Sequence, residues 1–186
     1  MKKHLIVVIA VLFTACDGTN SPVPTADSAK TKADSGMAMR AINSPFRVVY
    51  SSSFTIDDPK YAEAVLTLWK DYDNGDIASS KDLIADSIEL YPSDGSSLKL
   101  SRDSAIALVQ MERSAMKSVV STVNAVMSVK SDKGEHWGLI WGSNNYTDKK
   151  GNSMMIQLQE TWRFNSAGKA DLLYQFAQEQ PKKKMK

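Results

Sequence analysis

One carboxylate stands alone in an otherwise apolar row near the end of the sequence. Residues 154–164 alternate with a period of two, which is typical of a β-strand. The positions on one face are Met154, Ile156, Leu158, Glu160, Trp162 and Phe164. A carboxylate in such a row is either buried with a hydrogen-bond partner or lies at the mouth of a cavity. We predict that Glu160 is a functional acid or base. A structural hydrogen bond to a tyrosine, or an outward turn of the row, is the alternative.

Several aromatic residues occupy positions where helix or strand periodicity turns them toward a common space. Aromatic rings with polar tips are typical of ligand pockets, although each ring taken singly also suits an ordinary core. Tyr174 is the tyrosine that we expect beside Glu160 as a catalytic partner. The predicted pocket lining consists of Trp69, Tyr91, Trp141 and Trp162.

The first sixteen residues have the pattern of an exported lipoprotein. Lys2 and Lys3 precede eleven uncharged residues, 5–15. A helix of that length spans only about 16 Å, roughly half of a bilayer's hydrocarbon core, so the pattern favours a signal peptide. The segment ends Leu-Phe-Thr-Ala-Cys, which resembles a lipobox with Cys16 as the lipidated residue. An ordinary secretory signal with a chance cysteine is the alternative.

Composition divides the chain into four predicted segments. Residues 1–15 are the signal peptide, and 16–45 are the lipidated cysteine and a flexible stalk rich in Ser, Thr, Ala, Asp and Pro. Such a stalk buries too little apolar surface to fold. The folded domain is predicted at 46–179, and residues 180–186 form a basic tail. The tail is either a solvated end or a contact with anionic lipid.

Residue counts exclude several kinds of site and partner. The chain has one cysteine and two histidines, and one of these, His4, leaves with the predicted signal peptide. We therefore expect no Cys/His zinc site, and no cofactor or phosphate-binding motif is present. Loss of residues 1–15 removes two of the 23 basic residues and leaves as many bases as the 21 acids. A neutral mature protein offers no field for nucleic acid.

Periodicity predicts helices first and long strands afterwards. Asp57-Asp58-Pro59 begins a helix whose apolar face runs from Tyr61 to Tyr72 and which ends at Asn74-Gly75. A short helix, a hairpin and a helix capped by Ser101 follow. Four strands joined by Gly-containing turns then fill 119–178, so we expect a strongly curved antiparallel sheet.

This element order is similar to that of the nuclear-transport-factor-2-like superfamily, which includes the SnoaL-like cyclases and ketosteroid isomerases. Four short segments also resemble the family's local patterns. They are LWKDYDNGD at 68–76, IADSIEL at 84–90, SRDSAI at 101–106 and ETWRFN at 160–165. The resemblance implies an α+β cone, with three N-terminal helices packed on a curved antiparallel sheet around a pocket. It also implies pairing of two copies through the sheet's outer face.

Three functions are compatible with these features, because one fold serves many functions. The first is a lipoprotein of the cell envelope, outside the cytoplasm and on either membrane, that binds a small apolar or amphipathic molecule. The second is a cofactor-free isomerase, cyclase or dehydratase that uses Glu160 and Tyr174. The third is a structural or dimerising module.

The lipid anchor gives a direct prediction. Because two or more acyl chains hold a protein on a membrane almost permanently, Cys16→Ala should move the protein from the membrane to the soluble fraction. Globomycin, which blocks lipoprotein signal cleavage, should leave the unsubstituted precursor uncleaved. Membrane fractionation followed by immunoblotting measures both. A Cys16→Ala variant that stays on the membrane would contradict lipidation at this residue.

Overall fold

The computed structural model of the protein describes residues 42–178. The predicted signal peptide, Cys16, most of the stalk and the basic tail lie outside the described residues. The elements in chain order are β1 Phe54–Ile56, α1 Lys60–Asn74, a 3₁₀ helix Ile77–Leu83, β2 Ile84–Tyr91, β3 Leu98–Ser101, α2 Arg102–Ser114, β4 Met116–Ser131, β5 His136–Asp148, β6 Ser153–Phe164 and β7 Ala170–Gln178.

The strands form one curved seven-stranded sheet in the order β1-β4-β5-β6-β7-β2-β3. The predicted antiparallel sheet is wrong in one respect, because β2 and β7 pair in parallel and the sheet is mixed. β3 already occupies one edge of β2, while successive hairpins fix the direction of β7, which pairs with the other edge. The helices are not all N-terminal either, since β1 precedes α1, and β2 and β3 precede α2.

Helix α1 packs its predicted apolar face against the sheet. Its buried residues are Tyr61, Ala62, Val65, Leu68 and Trp69. The sheet also caps the helix, since the backbone N–H of Ala62 donates to the Ser128 hydroxyl at 2.8 Å. Such a bond satisfies one of the free N–H groups at a helix N-terminus. We call the sheet face that carries α1 the inner face and the opposite one the outer face.

A buried arginine of α2 caps the other end of α1. The guanidinium of Arg113 donates to the backbone carbonyls of Tyr72 at 2.8 Å and Asp73 at 2.9 Å. These are among the carbonyls that a helix end leaves without an intrahelical partner. Gly75 follows with a φ of 76°, the left-handed conformation expected where a helix stops. The two helices are thus joined by hydrogen bonds.

Two glycines of β5 set how close α1 comes to the sheet. A Cβ added to Gly138 would lie 2.8 Å from a methyl of Val65. A Cβ added to Gly142 would lie 2.3 Å from the backbone oxygen of Thr122 and 2.9 Å from the Trp69 ring. The strand therefore carries no side chain where the helix touches it.

We predict that Gly142→Ala destabilises the fold strongly, because its methyl group meets a backbone atom that cannot rotate away. Overpacking against fixed atoms should cost about 3 kcal/mol or more of unfolding free energy. Gly151→Ala is the matched control, since its φ is 89° but nothing lies within 4 Å of the added Cβ. That variant should lose about 1–2 kcal/mol, the cost of left-handed backbone. Urea unfolding compares them, and equal losses would refute the close approach.

Candidate functional site

A cavity of about 220 Å³ lies between the two helices and the inner face of the sheet. Most of its lining is apolar, and we call the remaining part, formed by its polar side chains, the polar side. The lining residues are Leu68, Trp69, Tyr72, Ile77, Ile84, Val109, Glu112, Asn144, Tyr146, Glu160, Trp162, Leu173 and Gln175. A mostly apolar hollow with a few convergent polar groups is the usual form of a small-molecule site.

Glu160 belongs to the polar side and is 5% exposed. Its Oε2 accepts hydrogen bonds from the indole N–H groups of Trp69 at 2.6 Å and Trp162 at 2.9 Å. Its Oε1 accepts one from the Gln175 side chain at 2.9 Å. The Glu160 side chain is therefore buried with hydrogen-bond partners, which is one of the two arrangements that its position in the apolar row predicted. The donors are two tryptophans and a glutamine instead of a tyrosine.

The carboxylate keeps one acceptor position for another group. A carboxylate offers about four lone-pair directions, two on each oxygen. The two indoles fill those of Oε2, and Gln175 uses one on Oε1. The remaining position on Oε1 can accept a hydrogen bond from an O–H or N–H group of a ligand.

Two tyrosines on neighbouring elements continue the polar side. Burial, followed by interaction with the Tyr146 phenol, raises the pKa of Tyr72 far above its ordinary value. Burial also raises the pKa of Tyr146, whose hydroxyl accepts a hydrogen bond from the Asn144 amide at 3.0 Å. Both phenols keep their protons at neutral pH, so each can donate a hydrogen bond.

Glu112 adds a second carboxylate to the lining, on α2. The side chain is exposed to solvent, yet partial burial, with a smaller contribution from the charge of Asp94, raises the pKa of its carboxyl group. A carboxyl group with a raised pKa holds its proton to a higher pH than an ordinary glutamate, which suits a general acid or base better. Of the lining acids, Glu112 has the freer side chain, because Glu160 is held by its three donors.

The sequence predicted some members of this cavity and misplaced others. Trp69 and Trp162 lie beside Glu160. Tyr174 does not: it pairs across the sheet with Thr161, the neighbour of Glu160, and therefore points to the outer face. The Tyr50 hydroxyl, 2.9 Å away, and partial burial raise its pKa to about 12. The proposed pairing of Glu160 with Tyr174 is wrong.

Tyr91 and Trp141 are also absent from the cavity lining. The Tyr91 ring stacks on Tyr174 with centroids 4.6 Å apart, which places it with the outer-face residues. Trp141 is paired with Gln159, and this phase of β5 also faces outward. The residues of β5 that share a face with Trp141 are more hydrophobic than those on the other face. Helix α1 nevertheless packs against the other face, which contains Gly138 and Gly142.

Signals for the missed residues exist in the sequence. Asn144 and Tyr146 continue the phase of Gly138 and Gly142, and glycine within a strand often marks a close approach of another element. Glu112 follows Val109 by three positions, so both lie on one face of α2. Gln175 is the direct cross-strand neighbour of Glu160, which only the register of β7 reveals.

The acidic residues at the end of α1 make local hydrogen bonds. Asp71 bonds to Ser80, Asp73 to Ser121 and Asp76 to Ser79. Within residues 42–178, no group of three or more His, Cys, Asp or Glu side chains is placed to hold a metal ion.

His136 lies away from the cavity. Its Nδ1 is 2.6 Å from a carboxylate oxygen of Asp57, and its ring stacks on Tyr61 with centroids 4.6 Å apart. The pair joins the segment before α1 to β5.

Across the part of the chain that the structure covers, no helix is both long and apolar enough to cross a membrane.

No protein-family model matches this chain, and neither does any curated protein. Solved structures do match. A putative SnoaL-like polyketide cyclase from Shewanella denitrificans is 11% identical with a TM-score of 0.55, over 65% of this chain and 92% of that one. A nuclear-transport-factor-2-like protein of unknown function from Exiguobacterium is 14% identical with a TM-score of 0.51, over 63% and 99%.

A third similar structure is that of SalBIII, an epoxide hydrolase/cyclase-like enzyme with a role in pyran ring formation in the polyether salinomycin. It is 14% identical with a TM-score of 0.55, over 66% of this chain and 93% of that chain. Identities this low establish the fold alone. The described domain has the nuclear-transport-factor-2-like fold, as its element order predicted.

The hydrogen bonds of Glu160 predict how two substitutions will differ. Glu160→Leu leaves two buried indole N–H groups without an acceptor and should cost about 2–4 kcal/mol of unfolding free energy. Glu160→Gln should cost about 1 kcal/mol or less, because its amide oxygen still accepts both indoles and Gln175 can rotate its own amide to match. Urea unfolding measures both. Equal losses of unfolding free energy in the two variants would show that the fold does not depend on a hydrogen-bond acceptor at position 160.

Proposed function

We propose that the inner cavity binds a small, mostly apolar molecule that carries one hydrogen-bond donor. One observation carries the proposal: Glu160 lines a mostly apolar hollow, and its hydrogen bonds use only three of its roughly four acceptor positions. A ligand hydroxyl or amine would complete the carboxylate's hydrogen bonds, and the rest of the ligand would contact residues such as Leu68 and Leu173. The tyrosine hydroxyls nearby would select among ligands by donating to a second polar atom.

The cavity volume limits the size of the ligand. At about 220 Å³ the cavity exceeds the roughly 150 Å³ of an engineered cavity that holds benzene. It is smaller than the roughly 300 Å³ at which pockets for drug-sized ligands begin. A molecule with one ring, or a short branched chain, fits these limits.

Binding is favoured over catalysis by Glu160 because of how that side chain is held. Two indoles and an amide hold both of its oxygens in place, so the side chain has little freedom to move toward a reacting atom. Fixed groups of this kind lower the entropic cost of binding, which favours affinity. The same bonds therefore suit a binding site better than a general base.

We place this binding in the cell envelope, outside the cytoplasm. Support comes from the lipobox-like segment that ends at Cys16 and from the stalk-like composition of the residues after it. A protein held on a membrane by acyl chains would meet its ligand at that surface. Its membrane partner would be the lipid bilayer itself, through the acylated cysteine.

A second candidate is cofactor-free acid–base catalysis by an isomerase, cyclase or dehydratase. Glu112 favours it, because a partly buried carboxyl with a raised pKa lines the same cavity as two protonated tyrosines. The similarity to a putative polyketide cyclase and to SalBIII is compatible with this candidate. It requires that Glu112→Gln abolish a measured turnover while the unfolding free energy stays unchanged.

Blocking the cavity tests the binding proposal. Val109 lines the cavity from α2, and Val109→Trp would fill a large part of it. The matched control is Val120→Trp, at a position that is 61% exposed on the outer face. In a screen of small alcohols and amines by saturation-transfer NMR, we expect binders for the native protein and the control. Val109→Trp should weaken them at least about tenfold, which corresponds to roughly 1.4 kcal/mol.

Two outcomes of that screen would reject the proposal. The first is that no compound binds the native protein. The second is that Val109→Trp, shown by circular dichroism to be folded, binds the same compounds as the native protein. Glu160→Gln gives a second test, because loss of the charged acceptor should weaken amines more than alcohols.

A further inference from the structure

The outer face of the sheet carries a second hollow, of about 510 Å³. Its floor is formed by side chains of β4, β5 and β7, including Val129, Trp137, Leu139 and Phe176. Tyr50, from the segment before β1, forms one wall. This volume lies within the roughly 300–1,000 Å³ that is typical of ligand pockets. The inner cavity lies on the opposite face of the same strands, so the two hollows are separate.

The lining of this outer pocket is uncharged. None of the residues that line it is an acid, a lysine, an arginine or a histidine. The lining residues that carry a hydroxyl group include Ser51, Thr161 and Tyr174. The Tyr50 hydroxyl, together with partial burial, raises the pKa of Tyr174 to about 12, so that this phenol stays neutral. A charged ligand would lose its hydration here without gaining a counter-ion, which favours a neutral one.

One buried donor in this pocket lacks an acceptor. The Trp137 side chain is 4% exposed, and its indole N–H has no hydrogen-bond partner among the described residues. A buried donor without a partner costs about 1–3 kcal/mol. A ligand carbonyl or ether oxygen that reached this N–H would remove that cost.

Tyr50 is a lining residue that contacts the Trp137 ring. Its ring packs edge-on against Trp137 with centroids 5.1 Å apart, and its hydroxyl lies 2.9 Å from that of Tyr174. The segment around Tyr50 contains no helix or strand, and side-chain bonds such as Ser51 to Asp132 hold it. A turn of the Tyr50 side chain would break its hydrogen bond with Tyr174 and uncover part of the Trp137 ring.

We infer that this outer pocket is a second ligand site, for a neutral and mostly apolar molecule that carries a hydrogen-bond acceptor. The ligand's apolar body lies against Leu139 and Phe176, and its acceptor oxygen takes the N–H of Trp137 after Tyr50 turns aside. The inference does not depend on the function of the inner cavity.

The solvatochromic dye Prodan, a neutral naphthalene with a ketone, is a suitable probe. We expect saturable binding of one dye per chain with a blue shift of its emission. Val129→Trp fills the outer pocket and should weaken binding at least about tenfold. Val120→Trp, exposed elsewhere on the outer face, and Val109→Trp, in the inner cavity, should leave the affinity unchanged. Trp137→Phe keeps an aromatic ring of smaller size, removes the N–H and should weaken binding about fivefold.

Three results would overturn the inference. The first is that Prodan shows no saturable binding to the native protein. The second is that Val109→Trp abolishes dye binding whereas Val129→Trp does not. The third is that sedimentation velocity shows a dimer of the native protein, which the Val129→Trp substitution dissociates. The last result would assign this surface to a second copy of the chain. If Val129→Trp does not fold, the comparison of Trp137→Phe with the native protein decides, because equal affinities would exclude the indole contact.

Discussion

Helix α1 rests on β5 at two places where the strand has no side chain, and the candidate site depends on that contact. At Gly142 the space of a missing Cβ is taken by the ring of Trp69. Because the ring lies so deep, its indole N–H reaches the carboxylate of Glu160 on the next strand, at 2.6 Å. One side chain thus both anchors the helix and completes the polar side of the cavity. A change that lifted the helix would also take a donor from Glu160.

The hydrogen bonds of Glu160 connect three elements. Trp69 comes from α1, Trp162 from the same strand as the carboxylate, and Gln175 from β7. Neutral N–H groups can satisfy a buried carboxylate without the additional desolvation that a buried cation brings. They also hold both carboxylate oxygens in place in the lining of the cavity. A rigid acceptor in an apolar hollow recognises a ligand donor at low entropic cost.

Local sequence signals predicted the elements well. The apolar face of α1, the stop at Gly75 and the cap of α2 by Ser101 are all found, because each depends on neighbours within one turn of helix. The parallel pairing of β2 with β7 was not predicted, since it depends on which edge of β2 remains free when β3 pairs with the other edge. The fold as a whole was predicted from the order of helices and strands, and the error in the pairing of β2 with β7 does not change that order.

Strand phase is where prediction of the site failed, and the reason is physical. Hydrophobic periodicity assigns the bulkier row of a strand to the core, and in β5 that row contains Trp137 and Trp141. A helix that packs against backbone selects the opposite row, because its own side chains fill the space. The bulky row then remains on the outer face, where it is only partly covered and forms a second hollow. Both faces of β5 therefore bury apolar surface: on the inner face the side chains of α1 fill the space beside the glycines, and on the outer face the strand's own bulky residues do so.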